Sequence, residues 1–369
     1  MTQINLQLET LTPLWTGGAD RTVDRLHETG LLGSMRWWYE ALVRGVGGHV
    51  CDGGTCKYNS DKPNNGLCDV CCVFGATGWR RRFRLTVTDN TQSTSNFPSR
   101  IKLHQREYTK KNGKTHTPVW YFEQKSEEQS SRPIPNPPRS GQFDVVIQSL
   151  DPSFDPAIIA GLIQFLADWA AIGARPQMGF GVVQVQGDRV DMQPLCNHLF
   201  SLIGTKTDPN LPSLATMFFT QIRVDSDRRE KTFNLKYDLR APRLQTGDQL
   251  LCCEKTFNLK YDLRALFRSN QKVRHFVMGT VQCQRMAAKV KMSHPYTLDD
   301  QPVMRVWGWI PDGDYGMTRE GVLQGIHGYI QSYCIVWREF DSPRDTTTPN
   351  QTDMPAFLRS LMQIEEPQP

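Results

Sequence analysis

Apolar and polar residues alternate along Ile4-Asn-Leu-Gln-Leu-Glu-Thr10, the two-residue period of a half-buried strand. The period then changes. From Gly30 to Val46 the apolar positions are Leu32, Met35, Trp38/Tyr39, Leu42 and Val46, the spacing of one face of a helix over roughly 33–45. Ser34 stands where an N-cap belongs, and Gly45, Gly47 and Gly48 stop the helix. Helical neighbours diverge by about 100°, so Trp37 and Trp38 cannot both face one core. We assign Trp38 to the core and Trp37 to its edge, beside Arg36 or Arg44.

Further on, Phe83–Thr88 and Gln142–Leu150 read as strands. Asp155–Ala171 reads as a helix with a stripe of Ile158, Ile159, Leu162, Phe165, Leu166 and Trp169; Asp155 is its N-cap and Pro156 its first residue. A glycine-punctuated turn from Gly173 leads into another strand. The order β-α-β-β-α-β is that of the split βαβ, or ferredoxin-like, unit. A polar linker is expected over 190–212, after which the pattern starts again. Met217–Val224 and the segments around Lys289–Ser293 and Val303–Ile310 read as strands, and Arg319–Phe340 as one helix, with no closing strand evident. The expected fold class is therefore α+β: two tandem ferredoxin-like (RRM-like) domains, 1–190 and 213–340, with long loop insertions and a tail over 341–369. In the tail, Phe357, Leu358, Leu361 and Met362 form a short amphipathic piece suited to docking on a partner or on this chain.

One repeat interrupts the second half. The twelve residues Glu230–Ala241 recur identically at Glu254–Ala265. A single local copy does not indicate a solenoid. Pro242 and Gly247 cut off the first copy, so the second is expected to hold the helix and the first to lie in an insertion.

Composition adds a compartment and an uneven charge. The 369 residues fit two domains. No apolar run approaches the roughly 20 residues of a membrane span, and the first residues lack the features of a signal peptide. A cytoplasmic location with no membrane contact is expected. The net charge of +5 conceals a basic window: Trp79 to Lys114 holds ten Lys/Arg against Asp89 and Glu107, a net +8. A basic block beside aromatics and glycines is the footprint of a nucleic-acid backbone, or else a solvated loop.

Ten cysteines on a cytosolic chain suggest thiols or a metal before disulfides. Cys51, Cys56, Cys68 and Cys71 make C-x4-C and C-x2-C pairs eleven residues apart, as two knuckles holding a structural zinc would. Cys72 and His49 lie close enough in sequence to compete for that set, and free thiols are the alternative. Four thiolates leave no open position for catalysis. No phosphate-binding loop and no nucleophile elbow is present, and the eight histidines are scattered. The chain is therefore read as no enzyme. A metal-independent endoribonuclease using His27 or His294 is the runner-up, and a zinc-stabilised protein scaffold the third reading.

The combined motifs resemble the RAMP superfamily of CRISPR proteins, and within it the first subunit of the type III-B (Cmr) effector complex. They are Leu11-Thr-Pro-Leu-Trp-Thr-Gly-Gly18, Leu32-Gly-Ser-Met-Arg-Trp-Trp-Tyr-Glu-Ala-Leu42, Cys72-Val-Phe-Gly-Ala-Thr-Gly-Trp-Arg-Arg-Arg-Phe83 and Gly173-Ala-Arg-Pro-Gln-Met-Gly-Phe-Gly181. In the second half they are His275-Phe-Val-Met-Gly279, Lys289-Val-Lys-Met-Ser293 and Met304-Arg-Val-Trp-Gly-Trp-Ile-Pro311. The resemblance implies a non-catalytic subunit that sits near the guide's 3′ region and helps to capture target RNA in antiviral defence. Guide RNA, single-stranded target RNA and other RAMP subunits are the implied partners. Carried over by motif, Arg36, Arg80, Arg81, Arg82, Arg175, Gly179, Gly181, Lys289 and Lys291 would face RNA. Arg21 and Arg25 join them from the first glycine loop. Arg36 rather than Trp37 is expected to be the contact on the first helix. The sequence departs from the resemblance at Pro176-Gln-Met178, where the family's loop is often more basic, and in the twelve-residue repeat.

Overall fold

The structure is a computed structural model that describes all residues except 1, 19–21, 53, 95–99, 104–105, 111, 123–135, 207, 225–248, 281–284, 314, 348–351 and 365–369. The first half runs β1 (Gln3–Thr10), α1 (Glu28–Gly45), α2 (Asp69–Phe74), β2 (Phe83–Asp89), β3 (Gln142–Ser149), α3 (Ala157–Trp169) and β4 (Val183–Val185). Its four strands pair antiparallel in the order β4-β1-β3-β2, with Leu6 opposite Val145 and Leu85 opposite Ile147. Short two-stranded ribbons occupy part of the segment between β2 and β3.

The segment expected to be a linker holds a helix, α4 (Gln193–Phe200), which packs Leu195 and Leu199 on α3. The second half is β5 (Met217–Arg223), α5 (Gln249–Leu266), α6 (Gln271–Met278), β6 (Val290–Met292), β7 (Tyr296–Leu298), β8 (Gln301–Trp309), α7 (Arg319–Ile330) and β9 (Cys334–Glu339). The sheet order is β6-β8-β5-β9, with β7 also paired to β8. With β7 set aside, both sheets place their fourth strand in chain order beside the first and the third between the first and second. The closing strand missing from the sequence reading is β9. The helix expected to reach Phe340 ends at Ile330, and a short 3₁₀ turn over Gln331–Tyr333 leads into that strand.

The two sheets share a core. Along β5 and β8, successive side chains point to opposite faces. Phe218, Ile222, Met304 and Val306 pack with Leu259, Leu263 and Leu323 on one side. Met217, Phe219, Val303 and Trp307 pack with α1 and α3 on the other. Trp38 and Trp169 each lie 6.0 Å from the Phe219 ring, centroid to centroid. Burial of both faces explains why these strands read as near-continuous apolar runs. The amphipathic piece of the tail forms α8 (Met354–Leu361), which buries Phe357 and Leu361 against this same chain, Trp169 Nε1 donating to the Leu361 carbonyl at 2.9 Å. The first copy of the repeat lies outside the described residues; the second is in α5, as expected.

Helix α1 starts earlier than its pattern suggested, at Glu28, with His27 at the N-cap position. Ser34 is inside the helix. Its Oγ donates to the Leu31 carbonyl and accepts from the Gly173 amide at 3.0 Å, tying α1 to the glycine loop.

Candidate nucleic-acid groove and metal centre

A groove follows the seam between the two sheets. One part, about 480 Å³, lies between α1, the glycine loop and the edge strand β6, with Trp37, Lys289, Lys291 and Trp309 on its walls. A second part, about 510 Å³, continues past Trp120, Tyr121, Lys260, Tyr261 and Arg264. The two share Gln177, Met286, Ala287 and Ala288, which makes them one trough. No aspartate or glutamate lines either part among the described residues.

Local patterning puts the cations there. Val290 and Met292 on β6 point into the second core, so Lys289 and Lys291, two residues apart, share the opposite face. Lys291 Nζ lies 5.2 Å from the centroid of Trp37, and Lys289 Nζ 5.3 Å from that of Trp309 and 3.6 Å from that of Phe276. On α5, Leu259 and Leu263 face the core, while Lys260 and Arg264 follow each of them by one residue and line the trough. Lys260 Nζ donates to the Gln177 carbonyl at 2.9 Å and sits 4.7 Å from the centroid of Trp120. Burial lowers the pKa of Lys289 to about 8; burial and then the Lys289 charge do the same for Lys291. Burial, followed by Arg264 and Lys291, lowers Lys260 to about 7.

The structure brings together only part of the expected contact set. Lys289 and Lys291 are in the groove; Arg21 lies outside the described residues. Arg25 pairs with Glu28 at 3.1 Å, away from the groove lining. Arg80 donates to the Leu150 carbonyl, Arg81 lies beside Phe83, and Arg82 pairs with Asp151 at 2.8 Å. None of the three lines the trough. Arg175 lies 3.5 Å from the Trp15 ring centroid and donates to the Phe122 carbonyl. The bare faces of Gly179 and Gly181 meet protein: a Cβ on the first would stand 2.6 Å from His294 Nδ1, and on the second 2.0 Å from the Ile172 carbonyl oxygen. Close packing accounts for these glycines without RNA.

Sequence reasoning missed Lys260, Arg264, Trp120 and Trp309, and set Trp37 aside in favour of Arg36. The signal for Lys260 and Arg264 was present in the repeat, where each follows an apolar position by one residue. Nothing in the long polar segment singled out Trp120. The runner-up's histidines are elsewhere: His294 is buried with its Nδ1 2.7 Å from Thr256 Oγ1, and His27 Nε2 is 2.8 Å from Asp24.

The cysteine reading gains a definite set. The sulfurs of Cys51, Cys56, Cys68 and Cys71 all lie within 4.8 Å of one another, and Cys72 and His49 are not part of the group. The Cys51–Cys71 separation of 3.7 Å is close to the ~3.8 Å edge of a tetrahedron with zinc–sulfur bonds of about 2.3 Å. The Cys68 amide donates to Cys56 Sγ at 3.3 Å and the Cys71 amide to Cys68 Sγ at 3.4 Å, contacts that favour thiolates. Without a cation, burial and then Cys68 push the Cys71 thiol up; a divalent ion reverses that. The donor set fits zinc. Zinc there would join the two knuckles without an open coordination position.

Comparison with known proteins bears on the first half of the chain. A model of the RAMP superfamily matches residues 7–184. No curated protein matches the sequence. Among solved structures, the chain is similar to Cmr1 from Pyrococcus furiosus in its apo form, at 15% identity, TM-score 0.44, over 89% of this chain and 97% of that one. It is also similar to a chain of the type III-B Cmr-beta complex bound to cognate target RNA and AMPPnP, at 11% identity, TM-score 0.43, over 88% and 99%. The match to the RAMP superfamily thus spans residues 7–184, from within β1 to β4.

Proposed function

We propose that this chain is a non-catalytic, RNA-binding subunit of a type III-B CRISPR effector complex, in which it helps to hold target RNA near the 3′ region of the guide. Two ferredoxin-like units, 1–190 and 213–340, form it, with a four-cysteine zinc as structural support; it works in the cytoplasm with other RAMP subunits. The observation that carries the RNA reading is the groove. It combines Lys260, Arg264, Lys289 and Lys291 with Trp37, Trp120, Trp309 and two tyrosines, and no carboxylate among its described lining. Single-stranded RNA asks for these groups: cations for phosphates and flat rings for unstacked bases. The motifs shared with the first type III-B subunit support the place in the complex. Arg25 and Arg80–Arg82 would meet RNA only outside the groove.

The test incubates the full chain, alone and within the assembled complex, with labelled guide and target strands. Salt-sensitive binding with both strands left intact is expected. Cleavage in the absence of metal, abolished by His27→Ala, would establish the endoribonuclease reading instead. Absence of RNA binding in both settings would leave the protein scaffold.

A further inference from the structure

Arg36 was expected on RNA, yet its guanidinium is turned onto the cysteine knuckles. Nη2 lies 3.1 Å from Cys71 Sγ, Nη1 donates to the Gly75 carbonyl at 3.0 Å, and Nε donates to Glu40 at 3.1 Å. Cys71 lies within α2, and Gly75 is the residue that ends it. One side chain of α1 therefore grips the short helix that carries Cys71, with Cys68 at its N-cap. Glu40, one turn along α1, holds the guanidinium from behind, and Arg44 completes that row at 3.4 Å from Glu40.

We propose that Arg36 is a positioning residue of the metal centre: it donates to the metal-bound Cys71 thiolate and fixes the knuckles to α1. The proposal rests on the reading that the four cysteines bind a divalent metal. Charge supports it. Four thiolates around a divalent cation carry a formal −2, and a cation that donates to one sulfur offsets part of it. No other arginine or lysine side chain donates to these sulfurs among the described residues. The next residue, Trp37, lines the groove. The knuckles thus support the helix from which an aromatic reaches RNA, and Arg36 is the link.

The experiment measures zinc affinity of the full chain by competition with a chromophoric chelator, for wild type, Arg36→Lys and Arg36→Gln. Cobalt substitution reports the sulfur set through its thiolate charge-transfer absorption. The glutamine variant should bind zinc about 10–100-fold more weakly, with a shifted cobalt spectrum. The lysine variant, which keeps the charge but not both donors, should recover part of the affinity. At saturating zinc, the salt dependence of RNA binding should match wild type. Wild-type zinc affinity in Arg36→Gln, with a salt slope lowered by about 0.7, would make Arg36 an RNA contact and overturn the proposal. Should Arg36→Gln fail to fold, the lysine variant decides: zinc affinity equal to wild type overturns it. A wild-type chain holding no zinc removes the underlying reading, and the inference with it.

Discussion

Trp37 and Trp38 are adjacent on α1, and the helix sends them to different tasks. Trp38 is 4% exposed and packs on Phe165 and Phe219, joining the two sheets. Trp37 is half-buried, edge-on to Trp38, with its ring beside Lys291. Trp38→Ala should cost about 3–5 kcal/mol of stability in denaturant unfolding. Trp37→Ala should leave most stability in place and weaken RNA binding by about 1–3 kcal/mol, the worth of one stacked base. The reverse pattern would put Trp37 in the core. Helical divergence made the split between the two rings legible in the sequence. The fate of Arg36 was not, because its partners, Cys71 and Gly75, come from a knuckle 35 or more residues away. The lysines add a pH dependence. Lys289 and Lys291 titrate near about 8 in the free protein, below the ordinary lysine value, so RNA affinity should fall as pH rises from 7 to 9 at fixed salt. In the same protein without RNA, these two groups should add stability from about pH 8 towards about 10.4, since the unfolded chain then holds more protons. Affinity flat across pH 7–9 would show that neither lysine meets phosphate.

At the scale of elements, patterning read best where one period runs through the whole element. Strands β1 and β3 and helices α1 and α3 follow their sequence periods to within a few residues. The errors have physical causes. Ile330, Tyr333 and Trp337 continue the helical spacing of α7, but the chain leaves the helix at Gln331 and Trp337 enters the second core from β9. The polar spacing of 190–212 concealed α4, whose Leu195, Cys196 and Leu199 make only a narrow buried stripe. The cysteine pairs were legible because metal spacing is a local property; choosing among Cys51, Cys56, Cys68, Cys71, Cys72 and His49 needed the fold. Metal analysis of the purified chain should find about one equivalent of zinc, lost from Cys68→Ser/Cys71→Ser together with order in the knuckles. Retention of zinc by that double variant would place the metal elsewhere.

For the whole molecule, the recurrence of a β-α-β-β-α pattern was legible; its closing strand β9 and the seam were not. The groove needs Trp37 from α1, Gln177 from the glycine loop, Lys260 and Arg264 from α5, and Lys289 and Lys291 from the start of β6 and within it, brought together by a core that passes from one sheet to the other. The basic window between Trp79 and Lys114 drew attention by charge density. The groove's cations are fewer and scattered in sequence, but they are gathered in space with aromatics and without acids among the described residues. The most direct test of that arrangement is a salt titration of single-stranded RNA binding by wild type and by the Lys289→Gln/Lys291→Gln double variant. If each lysine meets a phosphate, the slope of log affinity against log salt should be smaller in the variant by about 1.4, or ~0.7 per contact. Equal slopes and equal affinities would contradict the groove as the RNA site.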